Sequence, residues 1–189
     1  MPTRQYYFKL GFILLLITAI ASGILAFVNN FTKPIIEENQ RKAKALARKE
    51  VLSSAIIFEE VTGGFPYFIG KNKDNEITGY TFIATKYGYS SNVKTMVGVN
   101  PDFSIAKIRI IEQSETPGLG ANSVKLSFQD QFSHKMKTDL KVNKDGGEII
   151  ALTGATITSR AVTNSIREGL DKLMKSVKEL HEKKEKSEK

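Results

Sequence analysis

The stretch Thr153-Gly154-Ala155-Thr156-Ile157-Thr158-Ser159-Arg160 leads directly into an amphipathic pattern. Apolar residues recur after it at spacings of three and four: Val162, Ile166, Leu170, Leu173, Val177 and Leu180. This spacing predicts a helix with one buried face. Thr158 or Ser159 is expected to cap the helix by accepting a backbone N–H bond. Small and hydroxylated residues therefore stand at the entrance to a core helix.

The same stretch offers an alcohol beside a favourable position for an anion. The start of a helix attracts a phosphate because its free N–H groups and the positive end of its dipole point outward. Gly154 and Ala155 leave room for a bulky group to approach the backbone. Thr156 carries a secondary hydroxyl at this point. A short string of Thr, Gly and Ala is also common at the start of ordinary helices. A second motif is therefore needed to decide between a plain helix start and an anion site.

That second motif is Glu115-Thr116-Pro117-Gly118-Leu119-Gly120, which follows an apolar alternation. Pro117 fixes its own φ, and the two glycines allow backbone conformations that other residues avoid. The motif therefore predicts a rigid, shaped loop, with a plain turn as the alternative.

The two motifs, together with Gly88-Tyr89 and an apolar N-terminal segment, resemble the G subunit of Rnf-type electron-transport complexes. They are also similar to the related C subunit of the sodium-pumping NADH:quinone oxidoreductase. The similarity runs from the N-terminal segment to about Leu173 and covers most of the chain. It implies an α+β fold, with a single N-terminal transmembrane helix before an extracytoplasmic FMN-binding domain. In that domain, helices are expected to pack on a mixed or antiparallel sheet.

The resemblance also implies a covalent cofactor. In the family, FMN is joined through its phosphate to the hydroxyl of the last Thr of the Gly-Ala-Thr motif, which is Thr156 here. A separate flavin transferase forms this phosphoester with FAD as the donor, so Thr156 is a modification site and not a catalytic nucleophile. Many transferase targets carry an Asp six residues before the acceptor. This chain has Ile150 there, with Asp145 and Glu148 further upstream.

Further residues are assigned to the cofactor by the same resemblance. Glu115, Thr116 and Leu119 are expected to line the isoalloxazine, and Thr153 and Thr158 to lie near the phosphate. The expected cofactor-binding residues are Thr156, Glu115, Thr116, Gly118, Leu119, Gly120, Thr153, Gly154, Ala155, Thr158 and Ser159. No catalytic residue and no metal ligand is expected.

The residue types present exclude several redox centres and other functions. The chain has no Cys, whereas iron–sulfur clusters need thiolates and c-type haem needs a Cys-x-x-Cys-His string. If electrons pass through this protein, they need an organic carrier. The two His residues, His134 and His181, are isolated and support no hydrolase triad. The net charge of +8 is dispersed and accompanies no recognition motif, so we expect no nucleic-acid partner.

The N-terminal segment predicts a membrane anchor. Residues 10–28 contain no charge over 19 positions, which is enough for one bilayer span. Ala19-Ile20-Ala21 has the pattern of a signal-peptide cleavage site, but the apolar run continues for seven residues beyond it, which favours an uncleaved anchor. Charge does not settle the orientation. The resemblance implies a cell (inner) membrane, a cytoplasmic N-terminus and a main domain on the periplasmic or extracellular side.

The remaining patterns predict the order of the elements. Residues 32–55 are expected to form a helix begun by Pro34, which is a solvated stalk or meets lipid headgroups through a basic face. Strands are predicted at 77–86, 93–99 and 104–111, a short helix within 122–134, and an apolar strand at 149–152. The expected domains are the cytoplasmic N-terminus and anchor (1–30), the stalk (31–58), the FMN-binding domain (59–175) and a charged tail that frays beyond His181 (176–189).

These observations predict an electron-carrier subunit that is not catalytic alone. The flavin would be positioned near the cofactors of other integral and peripheral subunits, and the chain lacks a G-x-G-x-x-G fingerprint for binding NADH itself. By resemblance, the complex couples ferredoxin:NAD electron transfer to ion translocation. The flavin transferase and membrane lipid are further expected partners. Two alternatives remain: a flavinylated carrier of a quinone-reducing or extracellular electron-transfer system, and an unmodified membrane-anchored scaffold.

Overall fold

The computed structural model describes residues 4–187 and contains two long helices and a five-stranded sheet. In chain order, the elements are α1 (Arg4–Val51), β1 (Ile57–Val61), β2 (Tyr67–Lys71), β3 (Ile77–Tyr87), β4 (Asn92–Val99), β5 (Ile105–Glu112), α2 (Leu126–Gln129) and α3 (Thr156–Ser187). Helix α3 continues well past His181, where fraying was expected. The ends of the predicted N-terminus and tail, residues 1–3 and 188–189, lie outside the described residues.

Helix α1 contributes to two compact units, one reaching Ala43 and the other beginning at Lys44. An 18-residue window of α1 has a mean hydropathy of 2.6 and is entirely unburied, so α1 is long and apolar enough to cross a membrane. The prediction that Pro34 begins a separate helix is wrong, because Pro34 lies inside α1. A proline removes one N–H donor and can bend a helix, while the other backbone bonds of a long helix persist. Helix α1 ends at Val51, four residues before the predicted end at residue 55. A turn at residues 53 and 54 follows it.

The sheet is an antiparallel meander in which the spatial order of the strands follows the chain. Strands β3, β4 and β5 confirm the three predicted strands within one or two residues at each end. The alternating residues of β4 are all buried, as expected: Val93, Thr95, Val97 and Val99. Strands β1 and β2 were not predicted. Neither strand alternates apolar and polar residues: β1 exposes the adjacent Glu59 and Glu60, and β2 is short and mostly apolar.

Helix α3 covers one face of this sheet. The predicted apolar stripe is buried along most of its length: Val162, Ile166, Leu170, Leu173 and Val177. Each such side chain contributes about 1.5–3 kcal/mol when it leaves water. Gly169 allows the helix backbone to approach β3, because a Cβ there would collide with the ring of Phe82. This packing fixes the position of the first turn of α3.

The opposite face of the sheet is partly covered by the last turns of α1. Ala47 and Val51 form a small buried cluster with Met96 of β4. The Glu50 carboxylate pairs with two basic residues of β5: Oε1 lies 3.2 Å from Lys107 Nζ, and Oε2 lies 3.6 Å from Arg109 Nε. The domain that begins at Lys44 therefore has helices on both faces of its sheet.

The outer edge of β5 is closed by the segment that follows it. The N–H of Ile110 donates to Gln129 Oε1 at 2.9 Å. The N–H of Ile105 donates to the carbonyl of Lys135 at 3.0 Å, and the carbonyl of Ile105 accepts from His134 at 2.7 Å. These contacts hold the connection between β5 and α3 against the sheet.

One prediction for this connection is confirmed and another needs correction. The short helix predicted within 122–134 is α2 (Leu126–Gln129), and short 3₁₀ turns lie on either side of it. The apolar run at 149–152 is not a strand: Ile149 makes one isolated bridge with Val142. The next amide, that of Ile150, donates to Gln131 Oε1 at 2.7 Å. The run therefore bonds to the connection itself, while Gln129 and the backbone at His134 and Lys135 occupy the edge of β5.

Candidate functional site

Glu115 joins three segments of the domain. Its side chain is buried, and its carboxylate accepts five hydrogen bonds. Three come from the backbone N–H groups of Tyr89, Ser90 and Ser91, at 2.9–3.0 Å. The hydroxyls of Ser91 and Thr158 supply the other two, at 3.1 and 2.6 Å. The carboxylate thus ties the β3–β4 turn and the loop after β5 to the first turn of α3.

The hydrogen bonds keep Glu115 ionised. Burial alone would raise the pKa of this carboxyl group, but the bonds from the Thr158 hydroxyl and from the N–H groups of Ser90, Tyr89 and Ser91 outweigh burial and lower the pKa to about 2. An ionised carboxylate accepts on both oxygens, and its charge strengthens each bond. Glu115 therefore acts as a clamp between segments, and it also borders a cavity.

Two glycines leave space for this carboxylate. A Cβ on Gly88 would lie 2.8 Å from Glu115 Oε1. A Cβ on Gly120 would lie 2.8 Å from Glu115 Oε2 and 2.6 Å from Thr158 Oγ1. Gly118 has a different role, because its φ of +77° turns the loop in a conformation that glycine adopts readily. The predicted shaped loop is present.

Helix α3 begins at Thr156, directly after the turn that contains Gly154, whose φ is +71°. The prediction that Thr158 or Ser159 caps the helix is wrong, because both lie inside its first turns. Thr158 donates to Glu115, and Ser159 Oγ accepts the N–H of Leu152 at 2.9 Å, upstream of the helix. The helix starts earlier than expected because the left-handed turn at Gly154 already directs the chain into it.

The first turn of α3 presents unpaired polar groups. Within residues 4–187, the backbone N–H groups of Thr156, Ile157 and Thr158 make no hydrogen bond, and the first bond of the helix runs from Ser159 to Ala155. Such groups, at the positive end of a long helix, attract an anion. Thr156 is a half-buried residue, and its hydroxyl makes no hydrogen bond with the described residues. An alcohol and three donors therefore lie together.

A cavity of about 630 Å³ lies beside this turn. It is lined by Tyr89, Glu115, Thr116, Leu119, Gly120, Gly154, Ala155, Thr156, Ile157 and Thr158. Its volume lies within the range of about 300–1,000 Å³ that is typical of small-molecule and cofactor sites. Of the residues expected at the cofactor, Gly118, Thr153 and Ser159 do not line the cavity. The other expected residues are brought together.

Sequence reasoning missed two lining residues, Tyr89 and Ile157. Both expose large apolar surfaces, 67% and 51% of each residue, beside Leu119. The signal for each was present, since Tyr89 belongs to the quoted Gly88-Tyr89 pair and Ile157 is a large apolar residue inside the deciding stretch. A cavity that offers both apolar side chains and free backbone donors suits an aromatic ring that carries a phosphate.

The acidic residues upstream of Thr156 make surface contacts. Asp145 accepts two hydrogen bonds from Arg160, at 2.6 and 2.9 Å, and this pairing lowers the pKa of Asp145. Glu148 pairs with Lys135, and Ile150 is exposed. In the part of the chain that the structure describes, no group of His, Asp and Glu is arranged to hold a metal ion.

Comparison with known proteins assigns both parts of the chain. The model of the FMN-binding domain matches residues 88–171, and the model of the RnfG N-terminal region matches residues 5–51. The chain is 38% identical over 183 residues to the G subunit of the Na(+)-translocating ferredoxin:NAD(+) oxidoreductase complex of Acetobacterium woodii, covering 84% of this chain and 87% of the relative. The chain belongs to the G-subunit family of ion-translocating oxidoreductase complexes. The family resemblance is thereby confirmed.

Other relatives agree with this assignment. The chain is 35% identical over 163 residues to the G subunit of the proton-translocating ferredoxin:NAD(+) oxidoreductase complex of Clostridium ljungdahlii, covering 84% of this chain and 88% of the relative. Its fold is similar to that of the C subunit of the Na(+)-translocating NADH-quinone reductase from Parabacteroides distasonis. The TM-score is 0.56 at 21% identity, over 73% of this chain and 94% of that one. The predicted α+β class is confirmed.

The FMN-binding domain of this G-subunit family member contains the whole cavity. The matched range begins at Gly88, which lies against the Glu115 carboxylate, and extends past Thr158. The cavity volume, the apolar wall, the unpaired N–H groups and the free hydroxyl all fit FMN.

Proposed function

We propose that this chain is the electron-carrying subunit of an Rnf-type complex, with FMN esterified through its phosphate to Thr156 Oγ1. A bound flavin supplies the uptake and release of electrons, and the chain attaches and orients it. The relatives are named for complexes that connect ferredoxin and NAD(+) to ion translocation. The proposed partners are therefore the other integral and peripheral subunits of such a complex.

The observation that carries this proposal is the difference among the hydroxyls at the start of α3. Thr158 and Ser159 are completely buried, and both hydroxyls are hydrogen-bonded. Thr153 is exposed but does not line the cavity. Within Thr153–Ser159, Thr156 alone combines an unbonded hydroxyl with a position on the cavity wall.

The surroundings of Thr156 support a phosphate at this oxygen. The unpaired N–H groups of Thr156, Ile157 and Thr158 belong to the same turn, and each is a donor for a phosphate oxygen. The nearby carboxylate of Glu115 is occupied by its own five donors, so its charge is already compensated locally. Gly154 and Ala155, which precede Thr156, carry no side chain larger than a methyl group.

The attachment reaction follows from the chemistry of an alcohol. With FAD as the donor, the oxygen of Thr156 forms a bond to the phosphorus of the FMN half, and AMP leaves with the broken pyrophosphate bond. The hydroxyl proton goes to a base of the flavin transferase. No electron is transferred in this step, so the protein is modified first and carries electrons afterwards.

The anchor completes the proposal. The apolar window of α1 is long enough for one span, and its exposed residues suit lipid. We place the N-terminus in the cytoplasm and the flavin domain on the periplasmic or extracellular side of the cell (inner) membrane. A covalent bond would then retain FMN where the cell cannot replace it. Addition of a membrane-impermeant protease to right-side-out vesicles is expected to digest the flavin domain.

The flavin attachment is tested on a denaturing gel viewed under ultraviolet light. The full chain is produced together with an active flavin transferase, as the wild type and as three variants: Thr156→Val, Thr153→Val and Thr158→Val. Only Thr156→Val is expected to lose the fluorescent band, because valine keeps the shape and lacks the oxygen. Intact-mass measurement should find one FMN in the other three proteins. A dark wild-type band, or a fluorescent Thr156→Val band, would overturn the proposal.

A further inference from the structure

Tyr89 is an exposed aromatic residue on a fixed piece of backbone. Its N–H donates to Glu115 Oε2 at 3.0 Å, and the same oxygen accepts the Thr158 hydroxyl at 2.6 Å. One carboxylate oxygen therefore holds the backbone of Tyr89 close to the first turn of α3. Thr156 belongs to that turn, so Tyr89 is held near the proposed attachment point.

The side chain of Tyr89, in contrast, has few contacts. It is 67% exposed, although it lines the cavity. Among the described residues, its ring stacks on no other aromatic ring and its hydroxyl makes no hydrogen bond. The nearby Tyr87 is comparably exposed, but its hydroxyl donates to the carbonyl of Ser90 at 3.1 Å, and it does not line the cavity.

The cavity has one aromatic side chain, and the other residues that the structure describes provide no stacking partner for its ring. Leu119 and Ile157 supply aliphatic surface to the same cavity, and both are partly exposed. Tyr89 is the single aromatic residue of the lining. A flat aromatic ligand gains most from a second ring, because offset and edge-to-face pairs add to the burial of apolar area.

We propose that the phenol ring of Tyr89 stacks on the isoalloxazine of the attached FMN and covers one side of it. This inference rests on the proposed function, since it assigns a contact within the same site. It makes Tyr89 a residue that touches the cofactor, in addition to the residues expected from the sequence.

A tyrosine in contact with a flavin leaves an optical signature. The phenol donates one electron to the light-excited ring and then takes it back, so the emission is lost without net oxidation of either group. The folded protein is therefore expected to be darker than the same protein after unfolding. A merely structural tyrosine outside the site would not produce this difference.

The test compares emission of the folded and unfolded full chain, purified in detergent with its flavin. For each sample, the emission of the folded chain is divided by that of the unfolded chain. This ratio does not depend on how much flavin the sample carries. In Tyr89→Leu the ratio of folded to unfolded emission is expected to rise severalfold, because leucine has no aromatic ring that can donate an electron to the excited flavin. Tyr89→Trp should keep the emission low, because indole is also an electron donor. Tyr87→Leu is the matched control and should resemble the wild type.

The outcomes separate this inference from the proposed function. A denaturing gel of the same samples reports flavin attachment independently of Tyr89. If the gel band is bright and the ratio of folded to unfolded emission is the same in the wild type and in Tyr89→Leu, the proposed contact is wrong and the attachment to Thr156 still stands. A dark wild-type band overturns both. If Tyr89→Leu fails to fold, the emission decay of the wild type decides: a dominant short lifetime supports the contact, and a decay equal to that of the unfolded chain overturns it.

Discussion

The floor of the cavity and its open side use similar residues in opposite ways. On the floor, Glu115 and Thr158 are buried, and their side chains are hydrogen-bonded to each other. On the open side, Thr156 and Tyr89 have polar groups without partners in the described chain, and Ile157 is half exposed. The contrast indicates a division of labour: the bonded residues hold the segments in place, and the unbonded residues remain available to a ligand. Substitutions confined to one side of the cavity test this division.

The largest loss of stability is expected on the floor, for Glu115→Gln. The change keeps the size of the side chain but removes the charge and leaves an amide NH2 facing backbone donors. A shift of the pKa from 4.5 to about 2 corresponds to roughly 3 kcal/mol at neutral pH. Urea unfolding of the full chain in detergent should show this loss. Glu112→Gln, which removes a surface partner of Lys94, is the control and should lose far less.

Acid should produce the same loss in the wild type. The pKa of Glu115 is lower in the folded chain than its ordinary value of 4.5, so its contribution is complete above that pH. The contribution disappears as the pH falls from about 4.5 towards 2. The difference in unfolding free energy between the wild type and Glu115→Gln should therefore shrink over this interval. A difference that stays constant from pH 7 to pH 2.5 would contradict the role of the carboxylate.

A smaller effect distinguishes the two threonines of the first turn. Thr158→Val breaks a buried hydrogen bond to a charged group and should destabilise the chain by about 1.5–3 kcal/mol. Thr156→Val breaks no hydrogen bond within residues 4–187 and should change the stability of the unmodified chain by less than about 0.5 kcal/mol. Thermal unfolding of both variants, made without the transferase, checks this order. The reverse order would mean that the floor and the open side are wrongly assigned.

The smallest effect is expected outside the cavity, at the ion pair between Asp145 and Arg160. Both side chains are partly exposed, so salt and water screen the pair. Asp145→Asn should lower the melting temperature less than either Glu115→Gln or Thr158→Val, and flavin attachment should persist. Loss of the fluorescent band in Asp145→Asn would show instead that this carboxylate serves the modification reaction.

Local sequence patterns predicted the parts of the fold that repeat regularly. Val162, Ile166 and Leu170 follow the period of a helix, and the alternation in β4 follows the period of a strand, because each element buries one face. Strands β1 and β2 lack a regular alternation and depend on pairing with β3. The start of α3 was misjudged because Gly154, and not a hydroxyl, directs the chain into the helix.

The candidate site was predicted as a set of residues but not as an arrangement. The motif around Thr156 and the loop around Glu115 identified most of the cavity lining. The clamp could not be read from the sequence, because Glu115 binds donors that lie far away along the chain, at Ser91 and Thr158. The Gly88-Tyr89 pair was visible in the sequence, but the position of Tyr89 at the cavity depends on the bond from its N–H to the distant Glu115.

The closure of the β5 edge has a practical consequence for expression and protein engineering. An open strand edge is a template for pairing with another molecule, and that pairing leads to aggregation. Gln129 and the backbone at His134 and Lys135 occupy this edge. Exchange of the loop between β5 and α3 with that of a relative would expose the edge unless these contacts are retained. Insoluble chimeras should therefore be repaired first by restoring Gln129.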